Sequence, residues 1–392
     1  MISVRNKKWN AFVLLSILGL SGLMAQHTFE GVSPDSTYAR KVIAELSSSR
    51  YYGRGYNEKG DSLAAEYLRS EMRELGLLPL GDEYFQHYTI NGVYSIEGKG
   101  GLSLNRKKLV PFRDFRLVSY RHAYGGKSDA EIRKQLVGDI WVLGKENLDT
   151  YSPFRTETYL SYPFCVEVLS DKMPRKIRKM KLDYEAVYHF AYSTQNVCGY
   201  IPGQVDTMVV YTAHYDHCGM MGDSLYFPGA HDNASGVAAV LDIARMAMAE
   251  KPYYTMVFMM FSGEEVGLCG STYAANNPLV DLSKVKILCN IDLFCGGSEG
   301  LSIVNALDSA TASSVNRIQT LNDAMDIAPK IVMRKNAANS DHFPFSKYCP
   351  AIFVFTMGGP YGGYHVPEDR CESCGLENYE NYLTLLYTLS VK

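Results

Sequence analysis

The stretch that decides the fold is TMVVYTA, residues 207–213, an apolar run that ends directly on His214, Tyr215 and Asp216. Its β-branched and aromatic residues follow no helical period, so it predicts a strand buried on both faces, as in a parallel sheet covered by helices. Working outward, Val237, Val240, Leu241, Ala244 and Met248 mark one face of a helix. TMVFMMF (255–261), KVKILCNID (284–292) and PAIFVFT (350–356) read as three further strands. Strand and helix signals in alternation predict an α/β protein with a mixed, mostly parallel central sheet and helices on both faces.

The remainder of the 392 residues is organised around that core. With 39 Lys+Arg against 42 Asp+Glu and 46% hydrophobic residues, the chain is too apolar to stay disordered, and its net charge of −3 argues against a nucleic-acid partner. Arg5, Lys7 and Lys8 precede an apolar stretch over residues 11–24, and polar sequence follows. Residues 1–25 therefore read as a secretory signal peptide, although Leu23 departs from the small-residue pattern before a cut at Ala25. The stretch is shorter than the roughly 20 residues of a spanning helix. The expectation is an extracytoplasmic protein, periplasmic or secreted, with no membrane anchor after cleavage.

Residues 26–81 read as a helical part, with Ala64, Tyr67, Leu68, Met72 and Leu75 at helix spacing and Gly76 as a stop. Residues 82–195 read as an inserted, mainly β segment of short pieces punctuated by turns. Its basic run KMPRKIRKMK (172–181) reads as a solvated loop, and the segment as a lid over whatever site residues 196–392 carry. The nine cysteines are an odd number, so at least one stays unpaired. Cys371 and Cys374, in the polar CESC segment, are the best candidates for a local bridge, while Cys269, Cys289 and Cys349 read as small core residues.

Each predicted strand is followed by residues that suit a metal: His214 and Asp216 after the first, Glu264 and Glu265 after the second, Asp292 after the third and His365 after the fourth. Asp232 stands at the head of the helix. In an open α/β sheet the carboxyl ends of the strands form the binding edge, so residues distant in sequence converge there. Mixed imidazole and carboxylate donors suit zinc. A pair of ions about 3.5–4 Å apart needs a shared ligand, and Asp232 can bridge them through its two oxygens. Two adjacent carboxylates repel unless one faces a cation and the other takes a proton, which predicts one ligand and one general base from Glu264 and Glu265. Asp216 is placed to accept the other ring N–H of His214. Ser340, Asp341 and His342 are neighbours in sequence, which rarely gives the geometry of a serine triad. His217 and His231 read as residues around the ligands or exposed, and the glycines of GGPYGGYH (358–365) lack the lysine of a phosphate loop.

The segments NVCGYIPG, VVYTAHYDHCG, PGAHDNASGVAAVLDIAR, FMMFSGEEVGLCGS, NIDLF, SDHFPF and YHVPED, between Asn196 and Asp369, resemble the zinc-dependent aminopeptidase family of two-zinc exopeptidases. The helical segment GRGYNEKGDSLAAEYLRSEMRELGL is also similar. The resemblance implies two zinc ions per chain, one on His214 and Asp292, the other on Glu265 and His365, with Asp232 between them. It implies Glu264 as general base, Asp216 as the partner of His214, an unusual peptide bond after Asp232, and peptide substrates cut from their N-termini. A Tyr near His365, Tyr364 or Tyr361, is a candidate for stabilising the oxyanion. Three other readings belong to the same fold family: a glutaminyl cyclase with a single zinc, a glutamate-releasing carboxypeptidase, and a receptor without activity. The first is disfavoured by the intact GAHDNASG and SGEEVG segments, the second by the lack of any identifiable basic pocket, the third by a complete set of ligand residues.

Overall fold

The apolar runs become the middle of one sheet, because a strand with apolar side chains on both faces has to be covered twice. In the computed structural model, which describes residues 33–119, 133–148, 150–153 and 164–392, the strands of this sheet are, in chain order, β1 (Phe85–Leu104), β2 (Met180–Ile201), β3 (Val205–His214), β4 (Tyr254–Phe261), β5 (Val285–Ile291), β6 (Gly300–Val304), β7 (Ile331–Met333) and β8 (Ala351–Met357). Their order across the sheet is β7-β6-β8-β5-β3-β4-β2-β1, with two short strands, Lys107–Leu109 at the outer edge of β1 and Leu78–Pro79 paired to β2. The four central strands β8, β5, β3 and β4 are parallel. Antiparallel neighbours flank them, β6 on one side and the β2/β1 pair on the other. The expected signal segment lies outside the described residues. No helix among the described residues is long and apolar enough to cross a membrane.

The two-residue period of the strands divides the interior into two cores. On β4, Met256, Phe258 and Met260 join one core, and Val257, Met259 and Phe261 the other. On β3, Val209, Tyr211 and Ala213 face the first and Met208 and Val210 the second. The first core is closed by helices α1 (Ser36–Leu46), α2 (Gly60–Glu74), α3 (Ser235–Ala247), α5 (Ala312–Met325) and α6 (Tyr379–Tyr387). The second is closed by α4 (Cys269–Asn276) and Phe345. Helix α1 starts where its sequence says it should: the Asp35 carboxylate accepts hydrogen bonds from the main-chain N–H of Thr37 and Tyr38.

The segment expected to be short and turn-punctuated is instead built on two strands of 20 and 22 residues, β1 and β2, paired from Phe85↔Val197 to Leu104↔Met180. The glycines that signal turns in its sequence lie inside the ladder. Gly98 and Gly100 have φ of +106° and +78°, a conformation that favours glycine, and the register shifts there, between Glu97 and Gly101. Gln195, where the inserted segment was expected to end, lies within β2 opposite His87. The chain between β1 and β2 forms a second sheet of four strands, Phe115–Ser119, Phe164–Leu169, Ile140–Lys145 and Arg133–Val137 in spatial order.

The cysteines pair differently from expectation. Cys374 is bonded to Cys295, 79 residues away, and Cys371 is free. The fold brings the loop after β5 against the segment before α6, so the partner of Cys374 is a neighbour in space and not in sequence. Replacing Cys374 by Ser, or reducing the bond, should lower stability by about 2–4 kcal/mol because the loop it closes is long, as read by denaturant unfolding with and without reductant.

Candidate metal centre

The parallel strands end at one edge, and the polar residues gather there. His214 is the last residue of β3, and Asp292 directly follows β5. Glu264 and Glu265 sit three and four residues beyond β4, and Asp232 just before α3. His365 is carried on the loop after β8, at a left-handed φ of +52°. His214, Asp216, Asp232, Asp292 and His365 are all buried.

The donor atoms form two groups that meet at Asp232. His214 Nε2 lies 3.3 Å from Asp292 Oδ1 and 3.3 Å from Asp232 Oδ1. His365 Nε2 lies 2.9 Å from Asp232 Oδ2 and 3.1 Å from Glu265 Oε1. Asp232 thus presents one carboxylate oxygen to each imidazole. Glu264 falls with the first group, within 4.8 Å of His214 and Asp292. His365 Nε2 is buried and close to two carboxylates, yet makes no hydrogen bond. Ligand atoms of His365 and Glu265, with those of His217 and Cys218, lie within 4.8 Å of one another, as ligands of one ion do. The peptide bond Asp232–Asn233 is cis.

Neighbouring groups hold the donors in these directions. His214 Nδ1 is 3.2 Å from the main-chain oxygen of Asp216, closer than the 3.7 Å to its carboxylate. The Asp216 carboxylate instead accepts the main-chain N–H groups of Glu264 and Glu265, at 3.1 and 3.3 Å, and so sets the turn carrying both glutamates. Ser340 Oγ donates to Asp292 Oδ2 at 2.8 Å, while His342 Nε2 faces Asn336, so the Ser-Asp-His neighbours form no triad. His217 and His231 are buried, not exposed. His217 Nδ1 lies 2.9 Å from Glu265 Oε1, and His231 Nδ1 accepts the Cys295 N–H. Tyr364 stacks on His365 with ring centroids 3.8 Å apart, and Tyr361 on His231 at 4.4 Å.

Three contributors, Tyr151, Asp369 and Arg54, carried no signal of their own in the sequence as it was read. Tyr151, from the segment before β2, brackets His365: its N–H donates to the His365 carbonyl at 3.1 Å and its carbonyl accepts His365 Nδ1–H at 2.7 Å. That bond leaves Nε2 free as a donor atom. Ser340 was expected at the pocket wall or beside the ligands from its place in the resembling segment SDHFPF, and its bond to Asp292 agrees with that. Asp369 and Arg54 were only letters within resembling segments, and neither they nor Tyr151 have a local pattern that reveals a partner.

The electrostatics favour a cation. Asp216, Asp232, Glu264, Glu265 and Asp292 meet around two imidazoles, and buried charge of one sign must be offset. Burial pushes the Asp216 carboxyl up to about 8, with Glu265 adding to the shift and His214 opposing it. Burial likewise pushes Glu264 well above the carboxylate range against the pull of His214, with Glu265 reinforcing it. Glu265 departs in the other direction: against its burial, His365 and the His217 hydrogen bond hold it at about 2. The adjacent glutamates are thereby pushed apart, one toward the protonated form and the other held ionised.

Comparison with known proteins places this arrangement. The family described as Peptidase family M28 matches residues 196–389, just under half of the chain. Aminopeptidase YwaD of Bacillus subtilis is 29% identical over 181 residues, 44% of this chain and 38% of that protein. The chain spans less than two fifths of the length of the first curated relatives it matches. A solved zinc aminopeptidase from Bacillus subtilis shares the fold with a TM-score of 0.64 at 17% identity, over 90% of this chain and 93% of that one. A Bacteroides thetaiotaomicron glutaminyl cyclase bound to N-acetylhistamine does so at 0.54 and 12%, over 92% and 99%.

The role of Asp216 is open to test. Asp216→Asn puts an NH2 donor where two main-chain N–H groups need acceptors. Zinc affinity should fall about 10–100-fold, measured by competition with a chelator, with the circular dichroism spectrum unchanged.

Proposed function

We propose that the chain is an exported zinc-dependent aminopeptidase that holds two ions and removes residues from the N-termini of peptides. The observation that carries this reading is Asp232, with one oxygen turned to His214 and the other to His365. His214 and Asp292 would hold one ion, Glu265 and His365 the other, and Asp232 both. The residues fit zinc in donor chemistry, in burial and in the excess of negative charge they leave to be offset. The family match and the relatives named aminopeptidase support the reaction class. The apolar leader at residues 11–24 supports export.

Zinc bound at these donors supplies Lewis acidity toward a scissile carbonyl and makes an attacking water more acidic. The chain's own residues do the rest. Glu264 lies within 4.8 Å of His214 and Asp292, which the resemblance assigns to one ion without it, and its carboxylate would take the water's proton and pass it to the leaving amine. Asp216 fixes the turn that aims it. Tyr151 keeps the His365 proton on Nδ1. Tyr361 and Tyr364, both half-exposed, line the approach and are the candidate hydroxyls for the developing oxyanion. The second sheet, whose strands Ile140–Lys145 and Phe164–Leu169 flank Tyr151 in the chain, acts as a lid that restricts the substrates reaching the edge.

Unblocked aminoacyl amides should be cleaved and their N-acetylated counterparts left intact, by a protein carrying two zinc ions per chain. One zinc with cyclisation of N-terminal Gln would transfer the case to the cyclase reading, which shares the fold. Glu264→Gln should lower kcat about 10²–10⁴-fold while the zinc content, measured by elemental analysis, stays at the wild-type value.

A further inference from the structure

Beneath the donors lies a charged side chain that pairs with none of their carboxylates. Arg54, between α1 and α2, is fully buried, and among the described residues no carboxylate forms an ion pair with it. Its donors all go to main-chain carbonyls. Nε reaches Tyr215 at 2.7 Å, Nη1 reaches Leu46 at 2.8 Å and Pro228 at 2.6 Å, and Nη2 reaches Gly229 at 2.8 Å and Asp232 at 3.2 Å. A guanidinium has five N–H donors in a fixed fork, and here each is used. A lysine has three and cannot reproduce the fork. One side chain therefore ties the loop that follows His214 to the loop that ends on Asp232.

Asp369, four residues beyond His365 and fully buried, completes the arrangement from the other side. Its Oδ1 accepts the His231 N–H at 2.8 Å and its Oδ2 the Asp232 N–H at 3.1 Å. The main chain of Asp232 is thus held at its N–H by a buried carboxylate and at its C=O by a buried guanidinium. The side chain in between has to divide its two oxygens between two histidines, and a rotation of its backbone by a few tens of degrees would turn both away.

We infer that Arg54 and Asp369 are positioning residues that clamp the main chain of Asp232 so that its carboxylate can serve two ions at once, an inference that rests on the two-ion reading above. The clamp acts on both ions together, because what it fixes is the residue they share. A residue that merely supported the fold would lower stability with and without zinc alike, and leave affinity for the ions unchanged.

The experiment is zinc titration of the full chain against a competing chelator, paired with thermal unfolding of the zinc-free and zinc-loaded forms, for wild type, Asp369→Asn, Arg54→Lys and Glu265→Gln. Asp369→Asn and Arg54→Lys are expected to weaken both zinc sites together, about 10–100-fold each, and to shrink the rise in Tm that zinc produces. Glu265→Gln is expected to weaken one site and spare the other. Wild-type affinity at both sites in Asp369→Asn would overturn the inference, whatever the Tm of its zinc-free form. If Arg54→Lys does not fold, Asp369→Asn decides alone, since it removes one acceptor without emptying the space. Fewer than two zinc ions on the wild-type chain would instead overturn the two-ion reading itself, and the two failures are read from different samples.

Discussion

Everything at the carboxyl edge of the sheet depends on how negative charge is held out of water. Five carboxylates and two imidazoles converge where β3, β4, β5 and β8 end, and most of their surface is buried. Carboxylates so crowded repel strongly in a medium less polarisable than water, so the arrangement persists only if each oxygen has something positive to face. Main-chain N–H groups meet Asp216 and Asp369, the histidines meet Asp232, Glu265 and Asp292, and Arg54 places its charge on the far side of the Asp232 backbone. The remaining deficit is what a divalent ion fills.

Only a rigid frame can impose such crowding, and the two-core sheet supplies it. With Phe258 and its neighbours locked into one core and Phe261 and its neighbours into the other, the strand ends have little freedom to spread apart. The donors themselves lie on the short loops just past those ends, close enough to inherit the precision of the strands. Asp232, at the head of α3, inherits the position of a helix that is buried almost all round.

How much of this could be read beforehand follows from the range of the interactions. The central strands were legible because an apolar run carries its own evidence, and the residues at their ends stood out as candidates because ligand types recur just past each run. The length of the β1/β2 ladder was misread since its glycines bend a ladder that continues, and a turn and a bulge use the same residue for the same conformational reason. The partner of Cys374 and the companions of His365 were out of reach for another reason: their partners lie 79 and 214 residues away, and nothing local marks them. Asp216 lay between. Its position was informative, but whether its carboxylate would turn toward an imidazole or toward two peptide N–H groups depends on a turn that only the folded chain displays.

The contact between Tyr151 and His365 has a consequence for what counts as a unit. The family match begins at residue 196, and every donor in the site lies beyond it. Yet the carbonyl that fixes the tautomer of His365 and the guanidinium beneath Asp232 both come from before that point. A fragment trimmed to the matched residues would keep the donors together with Asp216, Ser340 and Asp369, but would lose Tyr151 and Arg54 from the jig that aligns them. The chemistry of this chain is therefore inherited in one piece of sequence and calibrated by another.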